Sequence, residues 1–198
     1  MLANTRFVPR MNVGGVDVPP YMLGSFTGSH DTLETMRQQA WGDRGERSML
    51  VRELTERVVR DVWPKDYLGE MLAIRNFATT RLRYTNDQQH VELVRDPENI
   101  AERVLRDGVA LLDCDELAEM IATMVMQVGR EAEFFVVGFE APGDYSHVLC
   151  SAVESKSGQR VCLDPVAGTQ EREMLGRVTS WARWSLSDDA PGPHEVWP

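Results

Sequence analysis

The chain has 198 residues, 42% hydrophobic and 26% charged, with a formal net charge of -10. That length supports one medium domain with its own core, and the acidity, with no Lys- or Arg-rich run, excludes the phosphate-tracking footprint of a nucleic-acid binder. No apolar run approaches the roughly 18 residues of a membrane span, and the opening MLANTRFVPRMNVGGVDVPP lacks the apolar stretch of a signal peptide, so cytoplasmic synthesis without membrane insertion is expected.

Residues 1 to about 30 are rich in Gly, Pro, Asn and Ser and predict an irregular arm, with Gly14-Gly15 as a turn. Asp31 followed by Glu34 has capping-box spacing and predicts a short helix after it. Leu50, Leu54, Val58 and Val62 recur every four residues, which predicts a helix stopped before Pro64. Tyr67, Met71, Ile74, Ala78 and Leu82 extend a second helical stripe. Asp96-Pro97 supplies an N-cap with proline in the first helical position, and Gly108 ends that helix. A further helix runs from Asp113, carries Leu117, Ile121, Met124 and Val128 on one face, and closes at Gly129.

The period then changes. EAEFFVVGFE, YSHVLCSAVES and QRVCLDPV each predict a strand, the last two joined through KSG. RVTSWARWSLS predicts another strand, and DDAPGPHEVWP an irregular tail. Helices followed by an antiparallel meander make an α+β pattern. The organisation expected is an N-terminal arm with a short helix over 1–45, a core over 46–170, and a strand with a Pro-rich tail over 171–198.

Three cysteines, Cys114, Cys150 and Cys162, do not make a disulfide framework. Cys114 stands at a helix head, where backbone N–H groups and the helix dipole favour a thiolate. Asp113, Asp115 and Glu116 oppose that effect with negative charge. His147 falls on a strand and Asp164 at the end of the next, just before Pro165. Thiol chemistry needs this set: a nucleophile, a base that takes its proton, and a carboxylate that orients the base. The bland alternatives are a buried small cysteine, a strand histidine bonded to backbone, and plain turn chemistry at Asp164. A metal site from His147, Cys150, Cys162 and Asp164 is disfavoured, because residues three apart on a strand face opposite sides. Cys150 therefore belongs to the core, Cys162 shares a face with Asp164, and Trp181, Trp184 and Trp197 are packing residues.

LLDCDELAEMIATMVMQVG, YSHVL and VCLDPV together resemble the transglutaminase-like superfamily of papain-fold cysteine enzymes, and IRNFATTRLRYTND with DPENIAERVLRDG resembles the helical lead-in of small phage-encoded members. The resemblance covers roughly 65–167. It implies a papain-like core with N-terminal helices packed on an antiparallel sheet. It also implies Cys114 as nucleophile, His147 as general base and acid, and Asp164 as orienting carboxylate, with no cofactor and no metal. The oxyanion side chain stays open between Tyr84, Gln88 and Gln89, and Leu112 stands where the family has glycine. The activity implied is cleavage of amide bonds in protein or peptidoglycan through a thioester, with hydrolysis ahead of cross-linking. The alternative is a structural component of a phage particle or tail, with other phage structural proteins as partners and incorporation in a virion.

Overall fold

The computed structural model describes residues 11–13, 16–18, 20–85, 94–141, 145–166, 176–186 and 192–197. The fold is α+β. Strands β1 (Met11–Val13) and β2 (Val16–Val18) form an antiparallel pair, followed directly by helix α1 (Pro20–Trp41). The described part of the N-terminal stretch is therefore not irregular. Pro20 opens α1 in the position where proline suits a helix, and Leu33, Met36 and Ala40 give it a buried face that packs toward α5 (Cys114–Gln127). Asp31 lies inside α1 and is not at its start; Glu34 pairs with Arg37 at 2.8 Å.

Helix α2 (Met49–Val59) starts where the Ser48 hydroxyl accepts from the Val51 amide; it ends at Val59, so Val62, expected on its stripe, lies beyond it. Helix α3 (Tyr67–Arg81) starts where Asp66 accepts from the Gly69 amide at 2.9 Å, and buries Met71, Ile74 and Ala78. Its stripe stops one residue earlier than expected. Leu82 begins β3 (Leu82–Tyr84), which pairs in parallel with β4 (Ala110–Leu112). Between them α4 (Pro97–Asp107) follows the sequence closely: Asp96 accepts from the Asn99 amide at 3.0 Å, and Gly108 takes the left-handed conformation at φ 77°. A side chain there would be strained.

Helix α5 is the central post. Every residue from Glu116 to Val125 is buried. A helix buried on all sides needs neighbours all round; α1, α2, α3 and α4 pack on it together with β5 (Ala132–Gly138) and β6 (His147–Val153). The main sheet runs β7-β6-β5-β8-β9, all antiparallel, with β7 at Arg160–Cys162, β8 at Ser180–Ser185 and β9 at Gly192–Trp197. It is not a simple meander, because β8 returns to the far side of β5 and makes β5 the middle strand. The tail expected to be irregular forms β9. Pro193 is accommodated because β9 is an edge strand.

Strand parity sorts the sheet. Phe134, Val136, Val148, Cys150, Ala152, Ala182 and Trp184 share one face and join the core with α5. The other face carries Glu133, Phe135, Ser151, Trp181 and Arg183 at the alternate register positions. Glu133 there accepts from Ser151 at 2.8 Å and from Arg160. Each fully buried core side chain, such as Met120 or Ile121, contributes about 1.5–3 kcal/mol. The core therefore fixes where the head of α5 meets the start of β6.

Candidate functional site

Cys114 is the first residue of α5. The helix head is held by a reciprocal cap: Asp113 accepts from the Glu116 amide at 2.9 Å, and the Glu116 carboxylate accepts from the Asp113 amide at 3.4 Å. Glu116 is fully buried and is matched by Arg95, whose Nη2 lies 2.7 Å from one of its oxygens and whose amide lies 3.1 Å from the other. Arg95 Nη2 also donates to the Leu111 carbonyl at 2.9 Å. One guanidinium thus ties β4, the cap and the first turn of α5 together. A bidentate pair of this kind fixes direction as well as distance.

His147 opens β6, and Asp164 lies two residues beyond β7. The backbone brings them together: the Leu163 amide donates to the Cys150 carbonyl at 2.9 Å, extending the β6–β7 pairing past its last strand residue. His147 Nε2 lies 2.9 Å from Asp164 Oδ2. The other carboxylate oxygen accepts from the Val166 amide at 2.7 Å, so Asp164, itself 1% exposed, is locked in an Asx-type turn over Pro165. A carboxylate acceptor at Nε2 selects the tautomer protonated there and leaves the Nδ1 lone pair to act as a base.

Cys114 and His147 line one cavity of about 220 Å³ with Asp115, Tyr145, Leu33 and Met36. The Val148 backbone amide is a hydrogen-bond partner of Cys114, and the thiol donates to Asp115 Oδ1 at 3.4 Å. Burial, and after it the Asp115 charge, push the Cys114 thiol up to about 12; the Val148 amide pulls the other way and Asp113 adds to the rise. These effects oppose the low thiol pKa expected from the helix head. The acids that suit the helix dipole sit beside the sulfur, in a site that also strips its water. Burial also holds the Tyr145 phenol up at about 12.

Cys150 is buried in the core and Cys162 is half-buried on β7, as strand parity requires. None of the three cysteines is in a disulfide. Tyr84 is exposed on β3, and Gln88 and Gln89 lie outside the described residues. Among the described residues no group of three or more His, Cys, Asp or Glu side chains is arranged to hold a metal, and no helix is long and apolar enough to cross a membrane. A larger cavity of about 590 Å³ opens at the other end of α5, beside Trp41, Arg130, Glu133 and Arg183; among the described residues no cysteine or histidine lines it. Sequence reasoning missed the contribution of Leu33 and Met36 to the site wall and the Arg95 brace. The Asp113-x-x-Glu116 spacing signals the cap, but nothing local marks Arg95, which reaches it from 21 residues away.

No known family profile matches the chain, and no curated protein matches it. Among solved structures, one named "putative protease" from Parabacteroides distasonis is similar in fold, with a TM-score of 0.53 over 83% of this chain at 16% identity. This chain spans 30% of that protein's length.

Proposed function

We propose that this chain is a transglutaminase-like cysteine hydrolase that cleaves amide bonds in peptides, of protein or peptidoglycan origin, through a thioester on Cys114. The observation that carries the reading is the Asp164–His147 hydrogen bond at 2.9 Å on a cavity whose wall also holds Cys114. The fold shared with the protein named "putative protease" supports it, as does the resemblance of the three quoted segments to the superfamily.

His147 Nδ1 takes the thiol proton, and the sulfur attacks the substrate carbonyl carbon. The tetrahedral oxyanion is met by the Cys114 amide, because first-turn amides have no carbonyl within the helix to donate to. The imidazolium returns its proton to the departing amine, leaving the thioester. Water, deprotonated by Nδ1, then releases the acid and regenerates the thiol. Asp164 keeps the imidazole oriented throughout and stays ionised. The reaction needs no metal and no cofactor.

The test is mass-spectrometric trapping of the acyl adduct from a library of fluorogenic peptide amides. An adduct confined to the Cys114 peptide, absent in Cys114→Ala and His147→Ala, is expected. Equal turnover by Cys114→Ala refutes the reading.

A further inference from the structure

Cys114 stands at a joint. Strand β4 ends at Leu112, α5 begins at Cys114, and Asp113 alone links them. The strand side is held by β3, since the Thr85 amide donates to the Leu112 carbonyl at 2.8 Å. The helix body is held by the burial of every residue from Glu116 to Val125. Cys114 precedes that stretch, so the angle between strand and helix sets where its sulfur and amide stand. One guanidinium spans the joint: Arg95 Nη2 lies 2.9 Å from the Leu111 carbonyl and 2.7 Å from Glu116 Oε2. Glu116 also accepts from Arg95 Nε, from the Arg95 amide at 3.1 Å and from the Asp113 amide at 3.4 Å. The Glu116 and Leu117 amides are taken in turn by the Asp113 side chain at 2.9 Å and the Asp113 carbonyl at 3.1 Å.

We infer that Arg95 is a positioning residue for the Cys114 reaction: by bridging Leu111 and Glu116 it sets the strand-to-helix angle and so holds the Cys114 sulfur and amide in fixed register with His147. The inference rests on Cys114 being the nucleophile. Among the described residues that line the cavity of Cys114 and His147, neither Arg95 nor Glu116 is present, so the pair acts through the backbone and not by touching substrate. The Val148 amide that meets the sulfur belongs to β6, the strand that His147 opens. The base is therefore carried by the sheet and the nucleophile by the β4–α5 joint. Their relative placement is set between two units, and Arg95 braces the one that contains a turn.

A planar fork that meets two acceptors in fixed directions constrains an angle, which a single point contact does not. Misplacement of a reacting group by about 1 Å costs about 10²-fold in rate. Loss of the brace is therefore read in turnover and not in substrate affinity. It is also separable from stability. Replacing both members of a buried pair by apolar side chains of similar size preserves folding, whereas removing one member strands the other. Arg95→Met/Glu116→Met keeps the Asp113 cap on the amide at position 116 and takes away the bridge across the joint.

The experiment compares wild type, Arg95→Met/Glu116→Met and Arg95→Lys on the full chain. Steady-state turnover of a fluorogenic peptide amide is measured beside iodoacetamide labelling of Cys114, read by peptide mass. In the double variant kcat should fall by about 10²-fold, with KM within about threefold and a melting temperature within about 5 °C of wild type. In wild type His147→Ala should slow labelling of Cys114 at pH 7 by about tenfold or more, and in the double variant by less than about threefold. A double variant that retains kcat, or that changes KM alone, overturns the inference. If the double variant does not fold, Arg95→Lys carries the same criteria, since it keeps the charge beside Glu116 but reaches one acceptor instead of two. Labelling separates this inference from the catalytic reading. With no turnover in wild type the catalytic reading fails. A His147 effect on labelling that is present in wild type and lost in the double variant then still upholds the positioning role, and one that is absent from wild type or equal in both overturns it.

Discussion

Glu119 offers a direct test of the physics of the α5 core. It is fully buried, and neither carboxylate oxygen has a hydrogen-bond partner. Burial raises its pKa well above the ordinary carboxylate range, and the charges of Asp96, Glu116, Asp115 and Asp113 push in the same direction. Burial therefore favours the protonated form of Glu119 in the folded chain, whereas in the unfolded chain it ionises near pH ~4.3. Between the unfolded pKa and the higher folded pKa the folded state binds more proton than the unfolded state. Stability from this group is complete below the unfolded pKa and is lost as pH rises toward the folded pKa, by at most roughly 1.4 kcal/mol per pH unit. Glu119→Met keeps the length of the side chain and removes the unpartnered carboxyl. It should stabilise by about 1–3 kcal/mol at pH 7, and its advantage over wild type should grow from pH 5 to pH 8. Urea unfolding of both proteins across that range gives the difference directly. Parallel pH slopes, or a methionine variant less stable than wild type, would refute the reasoning, because either means that the carboxylate is satisfied in the native state.

Two further outcomes follow from the site. Arg95→Ala strands the buried Glu116 carboxylate and should cost about 3–5 kcal/mol, read by thermal unfolding; Arg95→Met/Glu116→Met should recover most of it, and a loss in Arg95→Ala below about 1 kcal/mol would show that the brace is not structural. Asp164→Asn retains an acceptor for the Val166 amide but no longer selects the imidazole tautomer. Amide turnover should fall by about 10²–10⁴ with the melting temperature nearly unchanged, and undiminished turnover would remove Asp164 from the mechanism.

What could be read from the sequence tracks how local the cause is. Helix α4 was legible at both ends because Asp96, Pro97 and Gly108 each act within one turn of where they stand. The head of α5 was legible for the same reason, through Asp113 and Glu116. The pairing of β3 with β4 was not: each strand is three residues long, and their register is set by a parallel partner 28 positions away, from Leu82 to Ala110. Helix α1 and strand β9 were misjudged because their Gly, Ser and Pro content outweighs periodicity, while neighbours decide their structure. His147 and Asp164 were identified as a pair by order along the chain, and the structure sets them in contact. The sign of the Cys114 shift was not legible, because it depends on burial, which no spacing reports.

The burial of α5 on every side also bears on how the molecule opens. Amide exchange in a helix surrounded by four others and a sheet cannot proceed by fraying of one neighbour. Protons from Glu116 to Val125 should be among the slowest in the chain, exchanging only with global unfolding. Cys114 rides on that unit, as the first residue of its capped turn. Its position is as cooperative as the fold itself, and graded loosening of the protein would leave the sulfur in place until the whole structure is lost.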